Sequence, residues 1–176
     1  PAISEIIETE AFVQGALCTC FSGQCYLSSF AGNNSGNRGR CKQPCRKRYS
    51  IDRAGYEDRA YAISLSDLSV GADAEKLLSA GVTSLKIEGR MRSAAYVAAA
   101  VEYYRALLDK RPADELFSRL KRTFNRGNYT RGLAFGQDAN LLSRSVQGHI
   151  GERAGTLSRR EGKWFCASSF AAEKGD

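Results

Sequence analysis

Apolar and polar residues alternate loosely over residues 5–17, where the β-branched and aromatic positions Ile6, Ile7, Phe12 and Val13 predict a strand ending near Gly15. Residues 18–46 carry no hydrophobic period and are rich in Gly, Ser and Asn, as in Gly32-Asn33-Asn34-Ser35-Gly36. A loop of that length in a compact domain is usually functional or disordered. Short strands are predicted around Arg48–Ile51 and Ala60–Ile63, joined by a polar turn through Gly55. Asp73–Ala80 reads as a short helix stopped by Gly81, and Val82–Ile87 as a buried strand. Ser93 is placed to cap a helix reaching Lys110, with Val97, Ala100, Val101, Tyr104 and Leu108 at helical spacing. Pro112 ends it, and a further helix is expected over Asp114–Phe124.

This helix–strand–helix rhythm implies parallel βα units, too few to close a barrel or a doubly wound sheet. The α/β part therefore looks like half of something larger. From Arg126 the chain becomes Gly-rich, and from Ser145 to Phe170 short strands alternate with turns at Gly155 and Glu161-Gly162. A boundary is placed near residues 135–145, giving an α/β part over 1–135 and a linker with the beginning of a small β-rich domain over 136–176.

Composition narrows the class. The chain has 176 residues, 43% hydrophobic and 26% charged, which is globular rather than disordered. No apolar stretch approaches the ~20 residues of a membrane span, and the first residues lack the basic and apolar regions of a secretory signal. A cytoplasmic protein without a membrane role is expected. The absence of an initiator Met suggests a start inside a longer protein.

The net charge of +7 is concentrated. Arg38, Arg40, Lys42, Arg46, Lys47, Arg48 and Arg53 face only Asp52 within one short window. A solvated loop would account for this density, and so would a surface that attracts phosphates. That window holds Cys41 and Cys45, and five of the six cysteines (Cys18, Cys20, Cys25, Cys41 and Cys45) fall between Cys18 and Cys45, with Cys166 far downstream. In a reducing compartment clustered thiols more often bind metal or do redox work than form disulfides. The spacings do not match paired C-x2-C zinc motifs, whereas iron–sulfur clusters tolerate irregular spacing of four thiolates. Spacing alone leaves open a metal or cluster site and a set of scattered thiols.

Lys86, Glu88 and Arg90 alternate at the end of the strand predicted at Val82–Ile87, so period two would put them on one face. At a barrel strand's C-terminal end such residues hold substrate; a structural ion pair is the plainer alternative. Two cations flanking a carboxylate suit an anionic small molecule or a nucleotide. Hydrolytic chemistry is thinly supported: His149 is the one histidine, and a surface or structural role is expected for it. Paired His ligands and phosphate-cradling glycine motifs are absent.

Several separated motifs, in order, closely resemble peptidase family U32, the collagenase-like family. They are Glu10–Cys18, Ser22–Ser29, Ser35–Arg46, Ser66-Asp67-Leu68, Ser84–Ser93 and Phe124-Asn125-Arg126-Gly127. The resemblance implies the C-terminal half of a (β/α)8-type, TIM-like barrel whose first half lies before Pro1. It also implies two activities, because some members are described as collagenases and others as oxygen-independent hydroxylation proteins. The latter carry a four-iron four-sulfur cluster and act on rRNA or tRNA bases or a quinone precursor, with prephenate as hydroxyl source in the RNA cases. By this resemblance Cys18, Cys25, Cys41 and Cys45 are the cluster ligands, Cys20 being the thiol left over.

The expected function is thus hydroxylation of an RNA base. Lys86, Glu88, Arg90, Arg38 and Arg40 would be its substrate-side residues, and RNA and an anionic co-substrate its partners. The alternatives are a collagenase-like peptidase and a non-catalytic RNA-binding module. Alone, a half-barrel would be inactive and could pair with a second copy to cover its exposed strand edges.

Overall fold

The computed structural model describes residues 2–50 and 61–168. A four-stranded mixed sheet has the order β3-β1-β2-β4. Its central strand β1 (Glu10–Ala16) runs parallel to β3 (Ser84–Ile87) and antiparallel to β2 (Asp67–Ser69), and β2 runs parallel to β4 (Tyr129–Thr130). The fold is α/β as expected, but the antiparallel β1–β2 pair corrects the expectation of purely parallel units.

Among the described residues four α-helices accompany the sheet: α1 (Leu27–Gly32), α2 (Ala74–Ser79), α3 (Ala94–Leu108) and α4 (Asp114–Thr123). Ser93 caps α3 as expected, its Oγ accepting the Tyr96 N–H at 3.2 Å. The face that α3 buries only partly matches the one expected, since Ala100 and Tyr104 are buried but the three aliphatic members are not. Tyr96, Ala99, Ala100, Tyr103, Tyr104 and Ala106 are buried, whereas Val97, Val101 and Leu108 are 37%, 51% and 44% exposed. Tyrosines carry the larger apolar area and the alanines between them let the helix approach the sheet, so this face outcompetes the aliphatic one. The core joins Val13 of β1 and Leu68 of β2 to Tyr96, Ala99, Ala100, Tyr103 and Tyr104 of α3 and to Leu120 of α4.

Two polar tips inside the core, those of Tyr104 and Gln14, are satisfied. The Tyr104 hydroxyl donates to the Val13 carbonyl at 2.6 Å and accepts the Gly71 N–H at 3.1 Å, and burial pushes its pKa up to about 12. Gln14, fully buried, donates from Nε2 to the Tyr96 hydroxyl at 3.2 Å. A register shift between Phe12 and Gln14 against β3 marks a bulge in β1.

Three further expectations are corrected. Residues 3–7 form turns, with the N–H groups of Ile6 and Ile7 both donating to the Ile3 carbonyl at 3.0 Å, so the strand begins only at Glu10. The Val82–Ile87 strand is an edge, not a buried strand, with Ser84 and Lys86 exposed on β3. Of the strands expected at 48–51 and 60–63, residues 51–60 lie outside the described residues; 48–50 are irregular and 61–63 form a turn. Among the described residues the strand of this region is β2, which begins four residues after Ile63.

In the tail, β5 (Gly155–Arg160) and β6 (Lys163–Ser168) form a separate antiparallel hairpin. Glu161 and Gly162, at φ 50° and 79°, make its two-residue turn where expected. Gly155 starts a strand instead of making a turn, and Phe170 lies outside the described residues.

Candidate functional site

The cysteine loop leaves β1 after Ala16 and closes at Arg46. The charge density places Arg46 among the surface cations, but the structure leaves it only 4% exposed. Its Nη2 donates to the Leu17 carbonyl at 3.0 Å, and its Nη1 to the Leu65 carbonyl at 2.6 Å and the Ser64 hydroxyl at 3.0 Å. One planar guanidinium thus joins the residue before Cys18, the residue after Cys45 and the approach to β2.

Between these ends, a turn at Phe21–Gln24, helix α1 and two single turns of 3-10 helix at Gly36–Arg38 and Pro44–Arg46 shape the loop. The Lys42 N–H donates to Ser28 Oγ at 2.9 Å, and Asn37 Nδ2 donates to the Gly23 carbonyl at 3.0 Å. The loop is therefore folded by its own polar groups rather than by an apolar core.

All six cysteines are free thiols. Cys18, Cys20, Cys25, Cys41 and Cys45 line one cavity of about 530 Å³, together with Phe21, Tyr26 and Arg90. Cys20 faces the same space as the four thiols expected to act together, so geometry does not set it apart. Among the described residues no three Cys, His, Asp or Glu side chains converge closely enough to hold a metal ion as they stand.

The donor chemistry nevertheless suits a thiolate-bound group. The Gln43 N–H donates to Cys41 Sγ at 3.2 Å, the kind of hydrogen bond that stabilises a ligating sulfur. Burial pushes the Cys45 thiol up, opposed by a hydrogen bond from Thr19 and by the adjacent Arg46. Cys18 and Cys41 are near enough to act on Cys45 electrostatically.

A second cavity, of about 460 Å³, shares Cys18, Cys41, Cys45 and Arg90 with the first. Its other polar walls include Glu88, Arg92 and Arg46, and Phe12, Leu68 and Met91 are among its apolar ones. Arg90 reaches the loop so closely that a Cβ at Gly39 would lie 2.9 Å from its Nη1. Glu88 follows β3 and packs on Gly15, where a Cβ would lie 2.6 Å from its own.

Lys86 does not join Glu88 and Arg90. It is half-exposed on β3, ion-paired with Glu10 at 2.7 Å and lying 5.1 Å from the Phe12 ring centre. That pair lowers the Glu10 carboxyl pKa. The strand ends at Ile87, so period two does not carry through to Glu88 and Arg90, which correct the shared face expected. Arg38 and Arg40 are exposed and have no carboxylate partner among the described residues.

Sequence reasoning gave no role to the charge knot behind the second cavity. Asp67, 1% exposed, accepts at Oδ1 from Arg126 Nη1 at 2.9 Å and Arg92 Nη2 at 3.3 Å. Burial pushes the Asp67 carboxyl up, against the pull of Arg126, Arg92 and Arg46. Burial also lowers Arg126 to about 10. Arg92 lies over Phe124, its guanidinium carbon 3.4 Å from the ring centre. Asp67 Oδ2 and Arg126 Nε are buried without a hydrogen-bond partner among the described residues. The only available signal was a charged residue inside Ser66-Asp67-Leu68 and Asn125-Arg126-Gly127.

His149 has the structural role expected. Its Nδ1 accepts the Asn125 N–H at 2.9 Å, its Nε2 faces the Arg122 carbonyl at 3.1 Å, and its ring stacks on Phe124.

Residues 2–143 match peptidase family U32, and the chain belongs to that family. It is 40% identical over 117 residues to tRNA hydroxylation protein P1 of Bacillus subtilis, covering 61% of this chain and 28% of that protein. A collagenase of Porphyromonas gingivalis is 39% identical over 106 residues, covering 58% of this chain and 29% of the relative. The 23S rRNA 5-hydroxycytidine C2501 synthase of Escherichia coli is 42% identical over 105 residues, covering 57% and 16% respectively. The matched part thus spans less than a third of each of these relatives. No solved structure matches the chain. Among the described residues no helix is long and apolar enough to cross a membrane.

Proposed function

We propose that the protein takes part in oxygen-independent hydroxylation of an RNA base. In this reading the α/β part is the second half of a (β/α)8-type barrel, and a β-rich part begins near residues 135–145. The observation that carries it is the common wall of the two cavities, where Cys18, Cys41, Cys45 and Arg90 separate a thiol-lined space from a cationic one. Relatives named for tRNA and rRNA hydroxylation support the choice of substrate.

Cys18, Cys25, Cys41 and Cys45 would hold a four-iron four-sulfur cluster. Such a group, when bound, exchanges single electrons at a potential tuned by hydrogen bonds to sulfur and by exposure. The chain's own residues do the rest. The Gln43 N–H lowers the charge density on Cys41 sulfur, and Arg46 fixes both ends of the loop. Arg90, without a carboxylate partner among the described residues, pairs with a carboxylate of an anionic co-substrate such as prephenate through two parallel N–H donors. Glu88, on the same wall, accepts from a hydroxyl and orients it. Lys86, already neutralised by Glu10, contributes little to this binding.

The test is to purify the full-length protein without oxygen and measure iron, sulfide and visible absorption beside Cys25→Ala. About four irons and four sulfides per chain, lost in the variant, are expected. Arg90→Ala should keep the iron and lose co-substrate binding. The relative named collagenase favours a second reading, peptide hydrolysis. An iron-free, colourless protein that cleaves gelatin would establish that reading instead.

A further inference from the structure

Phe21 and Tyr26 are 81% and 58% exposed, yet both line the thiol cavity. Large rings grouped at a cavity's solvent side mark a contact surface rather than a packing remnant. The loop's hydrogen bonds fix them to its cations. The Phe21–Gln24 turn closes through the Gln24 N–H to the Phe21 carbonyl at 3.1 Å, with Gly23 at φ 77°. Asn37 Nδ2 holds that turn to the single 3-10 turn bearing Arg38. Ser28 Oγ holds α1, whose N-cap is Tyr26, to the backbone of Lys42. Arg38, Arg40 and Lys42 have no carboxylate partner among the described residues.

Flat apolar rings and unneutralised cations thus share one hydrogen-bonded piece of backbone, and that combination selects among partners. An acidic peptide would use the cations and leave the rings in water. A lipid surface calls for a long amphipathic helix, and α1 has only six residues. Duplex RNA offers phosphates, but its bases are stacked out of reach of a ring. An unpaired strand offers both phosphates and free base faces.

We infer that Phe21 and Tyr26 form a stacking platform for unpaired nucleotides. Arg38, Arg40 and Lys42 take the neighbouring phosphates, and the platform presents one base at the mouth of the thiol cavity. This rests on the RNA reading above and adds that the substrate is a single-stranded or locally opened segment.

The experiment compares a labelled single-stranded RNA of mixed sequence with the same strand in a duplex. The proteins are the full-length wild type, Phe21→Leu/Tyr26→Leu and Phe21→Trp. Leucine keeps apolar bulk, so a ring that merely packs against the fold is replaced without loss. Expected are tighter binding of the single strand and about 5- to 150-fold weakening per ring lost. The salt slope should stay unchanged, and Phe21→Trp should keep its affinity with its fluorescence quenched on binding. Wild-type affinity in the double leucine variant, or equal binding of duplex and single strand, overturns the platform and leaves the RNA reading standing. No binding of either RNA at low salt removes the RNA reading, and the platform with it.

Discussion

Arg46 Nη2 donates to the Leu17 carbonyl at 3.0 Å, joining residues 29 positions apart through a guanidinium that is only 4% exposed. The same side chain holds Ser64 and Leu65, so the cysteine loop begins and ends at one clamp. Arg46→Met would leave two carbonyls and a hydroxyl unsatisfied, and should lower stability by about 3–5 kcal/mol. Arg46→Lys restores the charge but not the planar fork, and should recover only part of the loss. Denaturant midpoints with the slopes compared would show this. A shift under about 1 kcal/mol in Arg46→Met would mean that water replaces the clamp and the loop is ordered by other contacts.

The two glycines that admit Glu88 and Arg90 should differ in their tolerance of alanine. At Gly15 (φ 137°) a Cβ would meet Glu88 Cβ at 2.6 Å and the Glu88 carbonyl oxygen at 3.0 Å, neither of which can swing away. At Gly39 (φ 73°) it would meet the tip of the flexible Arg90 side chain at 2.9 Å. Gly15→Ala should therefore cost about 3 kcal/mol, combining backbone strain with overpacking, and Gly39→Ala about 1 kcal/mol. Thermal unfolding of the two variants side by side measures the difference, and equal losses would contradict the close packing of Glu88.

The elements that were readable in advance are those with local causes. Helix α3 announces itself through the Ser93 cap, its period and Pro112, and the tail hairpin through Glu161-Gly162. Strand β2 gave no such sign. Asp67, Leu68 and Ser69 are all buried, so alternation is missing, and a carboxylate in a strand interior argues against one. It becomes tolerable only because Arg92 and Arg126 arrive from 25 and 59 residues away. The same holds for Arg46, which composition counts as a surface cation and tertiary carbonyls draw inside. The cysteines fall between these cases: the family resemblance groups Cys18, Cys25, Cys41 and Cys45, which spacing alone does not, and the fold puts all four on one cavity. It puts Cys20 there too, and it parts Lys86 from Glu88 and Arg90 because β3 ends between them.

Acid sensitivity should have an identifiable source in Asp138. Its Oδ1 accepts the Asn140 N–H at 2.9 Å, and its Oδ2 accepts the Thr130 hydroxyl at 2.7 Å and the Arg131 N–H at 2.9 Å. These donors, the Asn140 amide foremost, hold the folded-state pKa below the ordinary value. The stabilisation is therefore complete above the unfolded value of about 4 and disappears as pH falls through the lower folded one. Asp138→Asn should flatten this part of the acid limb while changing neutral stability by no more than about 1 kcal/mol, since the group is solvent-screened. Unfolding midpoints from pH 6 downward would test it, and an unchanged acid limb would assign the sensitivity elsewhere.

Arg38 and Arg40 can be separated from Lys86 by salt alone. Each cation that neutralises a phosphate of single-stranded RNA contributes about 0.7 to the slope of log affinity against log salt, through release of one condensed counterion. Arg38→Gln/Arg40→Gln in the full-length protein should reduce that slope by about 1.4 if both side chains touch phosphates. Lys86 is already paired with Glu10 at 2.7 Å, so Lys86→Gln should leave the slope where it was. If the loop cations instead serve only to solvate an irregular segment, all three proteins will share one slope. A wild-type slope near zero would remove RNA as the partner altogether, because phosphate contacts cannot form without displacing counterions.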